Sequence, residues 1–230
     1  MSKIFQSCIL ASLLIILCGF LVAGPHQIDS GPWHLLYEEN FDGIEIGKLP
    51  KDFFVLEGNF MVTDMNGRKC LALDGLPVGE HGFLFGPRIR DSNLELSFSC
   101  KGALKSRRHS VFAIALGGMS GIRLRFNPGT QNLLMSYRED NHTKESIHWE
   151  SSEWVHVCLR VIQGDVQQEL IIKAQWNNES EKSKKNEDTW RIEDSSLPSG
   201  KCILWGFSYA EKEMYWDDLK IRTQARTPYK

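Results

Sequence analysis

SSEWVHVCLRVIQGDVQQELIIKAQW, residues Ser151–Trp176, contains a β-strand that can be read from its side chains alone. From Trp154 to Ile162 the apolar residues Val155, Val157, Leu159 and Val161 alternate with Trp154, His156, Cys158 and Arg160. A period of two places each set on its own face of an extended chain, whereas a helix would need a period near 3.6. One face is apolar and the other mixed, so this strand belongs to a sheet that buries one side.

The pattern repeats outward in both directions. In Asn93–Cys100, Leu94, Leu96, Phe98 and Cys100 oppose Glu95, Ser97 and Ser99, and in Gly121–Phe126, Ile122, Leu124 and Phe126 oppose Arg123 and Arg125. Further short segments are Trp33–Phe41, Asn59–Thr63, Lys69–Leu73, Gly82–Gly86, Ser110–Leu116, Asn132–Tyr137, Gln168–Trp176, Cys202–Ser208 and Glu213–Ile221, punctuated by Gly, Pro, Asn and Asp. No helical period, internal repeat or low-complexity block interrupts them. That layout predicts an all-β fold, a two-sheet antiparallel jelly-roll sandwich around a single core. Ser110–Leu116 (SVFAIAL) is apolar on both faces, which predicts a central strand. Asn177–Asp188 (NNESEKSKKNED) is polar throughout and is expected to be an exposed loop, the natural site of proteolytic nicking.

The chain opens with MSKIFQSCILASLLIILCGFLVAG, in which Lys3 precedes an apolar run from Ile9 to Val22 and small residues follow. This three-part layout predicts a signal peptide over residues 1–23, cleaved after Ala23, and a single domain over residues 24–230. The run of about 14 residues falls below the roughly 20 that span a bilayer, so no transmembrane segment is expected in the mature chain. Lipid attachment at Cys18 is disfavoured by Leu17, since the residue before a lipid-bearing cysteine is small. The protein is therefore expected to be secreted or periplasmic.

Of 230 residues, 27 are Lys or Arg and 29 Asp or Glu, a net charge of -2. Loss of Lys3 with the signal makes the mature chain slightly more acidic, and no nucleic-acid footprint follows from that balance. The basic runs Lys101–Arg108 and Lys182–Lys185 read as solvated loops. Cys70, Cys100, Cys158 and Cys202 remain after cleavage, an even number that suggests disulfides in an oxidising compartment, with three pairings open and buried reduced thiols as the alternative. Cys100 and Cys158 fall on opposite faces of their strands, which argues against a bridge between them. The spacings contain no CxxC pair, so a zinc site is not expected.

Three segments resemble the concanavalin A-like lectin/glucanase superfamily. They are YEENFDGIEIGKLPKDFFVLEGNFMV (Tyr37–Val62), the Trp-led hairpin Ser151–Trp176, similar to that of laminin-G-like domains, and the closing hairpin GKCILWGFSYAEKEMYWDDLKI (Gly200–Ile221). The LFGP segment Leu84–Pro87 is also similar to one in a group of exported proteins of planctomycete-type bacteria. The resemblance covers nearly the whole mature chain, and it implies a jelly-roll fold with carbohydrate as the ligand class. That implication is an analogy of fold. Retaining glucanases of the superfamily carry a Glu-x-Asp-x-x-Glu type of run on one strand, with carboxylates about 5 Å apart. This sequence has none, and Glu95 is followed by Ser97 and Ser99 where its partners would stand. HExxH and GxSxG are absent as well, and His81, His109, His142, His148 and His156 are scattered.

Sugar-binding surfaces combine flat aromatic rings with planar hydrogen-bonding groups. The expected ligand-binding residues are Arg107, Arg108 and His109, which lead into the central strand, Trp154, whose register sets it with His156 and Arg160, and the outward arginines Arg123, Arg125 and Arg160. With Lys173, the last three would form a basic stripe on the concave sheet if their strands are neighbours, suited to acidic or sulfated polysaccharide. A solvated face on which they meet Glu95 and Glu169 is the alternative. Asp42, Asp217 and Asp218 are candidate ligands of a structural calcium, since first and last strands are commonly adjacent in such sandwiches; turn capping is the competing role. No catalytic residue and no other cofactor is expected. The leading expectation is a non-catalytic carbohydrate-binding module, against a carbohydrate-active enzyme with an unrecognised site or a structural or protein-interacting envelope domain.

Overall fold

The alternation in the sequence becomes strand in the computed structural model, which describes residues 31–138, 140–145, 147–164, 169–178, 186–193 and 196–225. The export signal expected over residues 1–23 lies outside the described residues.

Numbered along the chain, an eight-stranded sheet runs in the order β15 (Asn186–Ile192), β14 (Leu170–Asn178), β13 (Val155–Gln163), β6 (Ser92–Lys101), β17 (Met214–Ala225), β4 (Arg68–Leu73) and β3 (Phe60–Met65), with β1 (His34–Glu39) paired to β17. A seven-stranded sheet runs β12 (Asp140–Glu145), β11 (Asn132–Tyr137), β10 (Ile122–Asn127), β9 (Val111–Leu116), β16 (Gly200–Phe207), β5 (Glu80–Ile89) and β2 (Phe54–Glu57). A small ribbon of β7 (Leu104–Lys105) and β8 (Arg108–His109) leads into β9. The first and last strands are adjacent, as expected, through pairs such as Tyr37 with Ile221.

The core fills the space between the sheets. Val155, Val157, Leu159 and Val161 point into it from β13, and Ile122, Leu124 and Phe126 from β10. Each fully buried side chain of this size contributes about 1.5–3 kcal/mol. Aromatic rings continue through the interior: Phe83 stacks on Phe53 at 5.1 Å and meets Trp216 edge-on, Trp216 meets Phe112, and Trp149 packs on Phe126 at 4.6 Å. Edge-to-face and offset contacts of this kind are favoured by the ring quadrupoles. The expected central strand is β9, fourth of the seven.

The structure corrects three expectations. Asn177 and Asn178 close β14 and Asn186–Asp188 open β15, so the polar segment is strand at both ends; its middle lies outside the described residues. The strands β2, β12 and β15 were not legible as strands, because DNHTKE is a polar edge without an apolar face, NEDTWRI turns only Trp190 and Ile192 of its inward side to the core as apolar residues, and FVLE is short. The four cysteines are free thiols. Cys100 and Cys202 sit in the core cluster, whereas Cys70 and Cys158 alternate with core residues on β4 and β13 and so face outward. Cys70 and Cys158 share a sheet face but are separated by β6 and β17, and Cys100 and Cys202 belong to opposite sheets. Burial pushes the Cys202 thiol up to about 12 and those of Cys70 and Cys158 up to about 11.

Candidate ligand-binding face

β9 is apolar on both sides, and only one side belongs to the core. Phe112, Ile114 and Leu116 face inward, while Val111, Ala113 and Ala115 join Ile203, Trp205 and Phe207, with Leu84 packed against them, in a second buried cluster on the outer face of the seven-stranded sheet. Its cover comes from β10. In the ladder Arg123 lies beside Ala115 and Ile203, and Arg125 beside Ala113 and Trp205. The two alanines leave room for both arginines to reach across β9 onto the aromatic side chains of β16. The Arg123 guanidinium carbon lies 4.4 Å from the centroid of the Trp205 ring, and that of Arg125 lies 4.1 Å from Phe207. Below Trp205 is Gly82, where a Cβ would stand 2.4 Å from Trp205 Cδ1; only hydrogen fits beneath the indole.

The two guanidinium groups differ in what holds them. Arg123 donates from NH2 to Glu80 Oε1, and its Nε is buried without an acceptor. Arg125 donates from Nε to Asn127 Oδ1 at 3.1 Å and from NH2 to the Tyr209 hydroxyl at 3.4 Å. Asn127 is itself fixed by donating to Asn132 Oδ1 at 2.7 Å. Tyr209 is 39 % exposed and its ring lies 5.8 Å from Phe207. Among the described residues no carboxylate pairs with Arg125. It is a stacked, oriented cation whose counter-charge is not supplied by the sheet.

The ribbon β7–β8 lies at the end of the central strand. Arg108 donates to Glu211 Oε1, His109 Nδ1 is 3.1 Å from Ser151 Oγ, and Arg107 is exposed on the turn. Glu211 is two residues beyond Tyr209, so the ribbon and the sheet face meet at one turn, Ser208–Glu211, closed by a hydrogen bond from Glu211 N to Ser208 O.

Arg160 and Trp154 stand elsewhere. The expected stripe of Arg123, Arg125, Arg160 and Lys173 does not form, because β10 pairs with β9 and β11 whereas β13 pairs with β6 and β14. The two sets occupy opposite outer faces with the core between them. Arg160 and Lys173 are direct cross-strand neighbours, and Arg160 on one side and Arg222 on the other flank Glu95. Arg160 Nε and Arg222 NH1 both bond the Glu95 carboxylate, which is 3 % exposed; Arg160 also lies 5.7 Å over Trp33. This is the solvated, paired face that the sequence offered as the alternative, with Arg191 rather than Arg160 meeting Glu169. Trp154 is covered by Arg68, whose guanidinium carbon lies 3.9 Å from its ring centroid.

Arg68 also answers for the acidic pair at the start of β17. Its Nε is 2.5 Å from Asp217 Oδ2 and its NH2 3.2 Å from Asp218 Oδ2. Burial pushes the Asp217 carboxyl above its ordinary range, opposed by the bond from Arg68. Asp42 lies apart, with its side chain accepting from Asn40 at 3.0 Å. As arranged, Asp42, Asp217 and Asp218 do not fit calcium, and among the described residues no group of three or more His, Cys, Asp or Glu side chains is gathered to hold a metal ion. On β1, Glu39 accepts from Phe41 N at 2.7 Å, and burial raises its carboxyl above the ordinary value of 4.5.

Trp205, Phe207, Tyr209, Asn127 and Glu80 carry this face and were not singled out from the sequence. Cys202–Ser208 is apolar at successive positions, so its alternation does not tell the core side from the covered side. The available signal was indirect: small residues at Gly82, Ala113 and Ala115 where bulk would be expected.

No family model matches this sequence, and no curated protein matches it. Among solved structures the chain is similar to the exoplasmic/lumenal domain of VIP36 in its Ca2+/Man-bound form, at 10 % identity and a TM-score of 0.55 over 86 % of this chain and 93 % of that one. It is also similar to a Lotus tetragonolobus seed lectin, at 10 % identity and 0.52 over 78 % and 96 %, and to lectin I-B4 of Griffonia simplicifolia in its metal-free form, at 9 % and 0.51 over 80 % and 98 %. Among the described residues no helix is long and apolar enough to cross a membrane. At these identities the likeness is one of architecture, and the chain has an all-β, two-sheet jelly-roll fold of the lectin kind.

Proposed function

We propose that this protein is an exported, non-catalytic glycan-binding module that takes acidic or sulfated polysaccharide on the outer face of its seven-stranded sheet. The observation that carries the reading is Arg125. Its guanidinium is stacked on Phe207, held by Asn127 and Tyr209, and faces no carboxylate among the described residues. A planar cation fixed in this way offers its free N–H groups to a carboxylate or sulfate ester with little further loss of side-chain freedom. Tyr209 adds an exposed ring with a hydroxyl, suited to the apolar face and hydroxyl rim of a pyranose. Arg123 continues the cationic edge, partly neutralised by Glu80. Fold similarity to lectins supports the ligand class by analogy.

The test is a glycan-array screen of residues 24–230 with neutral, sulfated and uronic-acid polymers, with product analysis of every hit. Binding to acidic polymers that weakens as salt is raised is expected, because the contacts are solvent-screened. Arg125→Ala should weaken that binding about tenfold or more, since a hydrogen bond to a charged group contributes about 1.5–3 kcal/mol. Absence of binding to any acidic polymer, or an unaltered affinity in Arg125→Ala, refutes the reading, and released oligosaccharides would replace it with an enzyme.

A further inference from the structure

The ribbon ahead of the central strand holds two cations that converge on one carboxylate. Lys105 Nζ is 2.5 Å from Glu211 Oε2, and Arg108 NH1 bonds Glu211 Oε1. Both cations are more exposed than the acid between them, at 49 % and 61 % against 28 %. Among the described residues no second carboxylate pairs with either cation, and Arg107 adds an exposed positive charge on the turn between them. Two cations and one acid leave the cluster with a net positive charge.

The position of Glu211 is unusual for a surface ion pair. It has φ 54, in the left-handed region that favours glycine, and so presents its carboxylate from a backbone conformation that residues other than Gly, Asn and Asp seldom adopt. The same turn carries Tyr209, the hydroxyl acceptor of Arg125. One short turn therefore joins the cation on the sheet face to the cations of the ribbon.

We propose that Lys105 and Arg108 form a second anion subsite, and that Glu211 occupies it as an internal carboxylate which an acid group of the bound polymer displaces. The proposal rests on the reading of the sheet face as a glycan-binding surface and extends its ligand to a polyanion with repeated acid groups. A carboxylate and a sulfate ester present the same chemistry to Lys105 and Arg108, namely anionic oxygens that accept from N–H. On displacement Glu211 turns into water, where its charge is hydrated. Exposed ion pairs of this kind contribute little to folding, so the exchange leaves the sandwich intact. Two acid groups of one chain, at Arg125 and at the ribbon, then bind with the advantage of multivalency. The bond from Lys105 and the charges of Lys105 and Arg108 hold the Glu211 carboxyl below its ordinary range, which keeps it anionic at neutral pH.

The experiment separates the subsite from the glycan reading. Inorganic sulfate is titrated into the wild-type domain, Glu211→Gln and Glu211→Gln/Arg108→Ala, following the Arg108 side-chain Nε–Hε resonance and, for all three, calorimetric heat. Glu211→Gln should bind sulfate roughly fivefold more tightly than wild type, the order that one exposed ion pair supplies, and the double variant should lose that gain. Equal sulfate affinity in wild type and Glu211→Gln overturns the subsite whether or not any polymer binds. Dextran sulfate is then titrated into the same proteins and Arg125→Ala. A gain for Glu211→Gln and a loss for Arg125→Ala support one polymer over both sites. A sulfate gain without any binding of dextran sulfate leaves the anion subsite standing and overturns its assignment to a polysaccharide. Circular dichroism of each variant establishes that the fold is retained.

Discussion

Replacing Gly82 with alanine tests the packing on which the candidate face depends. The added Cβ would lie 2.4 Å from Trp205 Cδ1 and 2.7 Å from its Nε1, where contact between carbon atoms is comfortable only near 3.5–4.0 Å. The indole must therefore move outward by about 1 Å, and Arg123 lies on its other side at 4.4 Å. Overpacking of this kind costs about 1–3 kcal/mol. Alanine recovers about 0.5–1 kcal/mol of the entropy that glycine loses in a strand. The net expectation is a destabilisation of up to about 2.5 kcal/mol, centred on roughly 1 kcal/mol, seen as a urea midpoint lowered by a few tenths of a molar. Displacing the ring also removes the platform of Arg123, a cation–π contact of about 0.5–2 kcal/mol, so acidic-glycan affinity should fall severalfold. Urea unfolding by circular dichroism and calorimetric titration with dextran sulfate measure the two effects. Gly43→Ala, at a position where a Cβ meets nothing within 4 Å, is the neutral control. A Gly82→Ala protein with unchanged midpoint and unchanged affinity would refute the placement of Trp205 against Gly82 and its support of Arg123.

Two further outcomes follow from titratable groups that burial shifts. The Glu39 carboxyl is raised by burial above its ordinary 4.5, so the folded state binds its proton more tightly than the unfolded state; wild-type stability is lost as pH rises from 4.5 through the raised value. Glu39→Gln keeps an acceptor for Phe41 N without ionising, so its stability relative to wild type should increase across that window in urea unfolding and stay level above it; a relative stability that falls with rising pH would contradict burial as the main cause. For the thiols, Cys70 and Cys202 are fully buried and Cys158 is held up at about 11, so the native domain should react with a thiol reagent slowly at neutral pH, at Cys158 first, and all four thiols should titrate after unfolding without reductant. Fewer than four thiols in the unfolded mature protein would reveal a disulfide.

Period-two alternation is a local property, and local sequence was enough to place most strands and their faces. Val155 to Val161, Leu94 to Cys100 and Ile122 to Phe126 each declared a core side, the outward direction of Arg123, Arg125 and Arg160 followed from the same count, and SVFAIAL declared its central place because both of its faces had to be covered. DNHTKE makes no apolar face and gave no such signal, since edge position and pairing make it a strand, and NEDTWRI gave too weak a one, since only Trp190 and Ile192 at its end reach the core. What only the tertiary structure decided is which strands are neighbours. Arg125 and Arg160 look alike in sequence, yet β10 pairs with β9 while β13 pairs with β6, and the first arginine reaches Phe207 while the second closes on Glu95. The same holds for Trp205, which alternation left on an apolar strand with no preferred side and which the pairing of β16 with β9 and β5 sets under Arg123. Alternation reports the side of the sheet to which a residue points, and long-range pairing, set by the packing of the whole core, determines the side chains that it meets there.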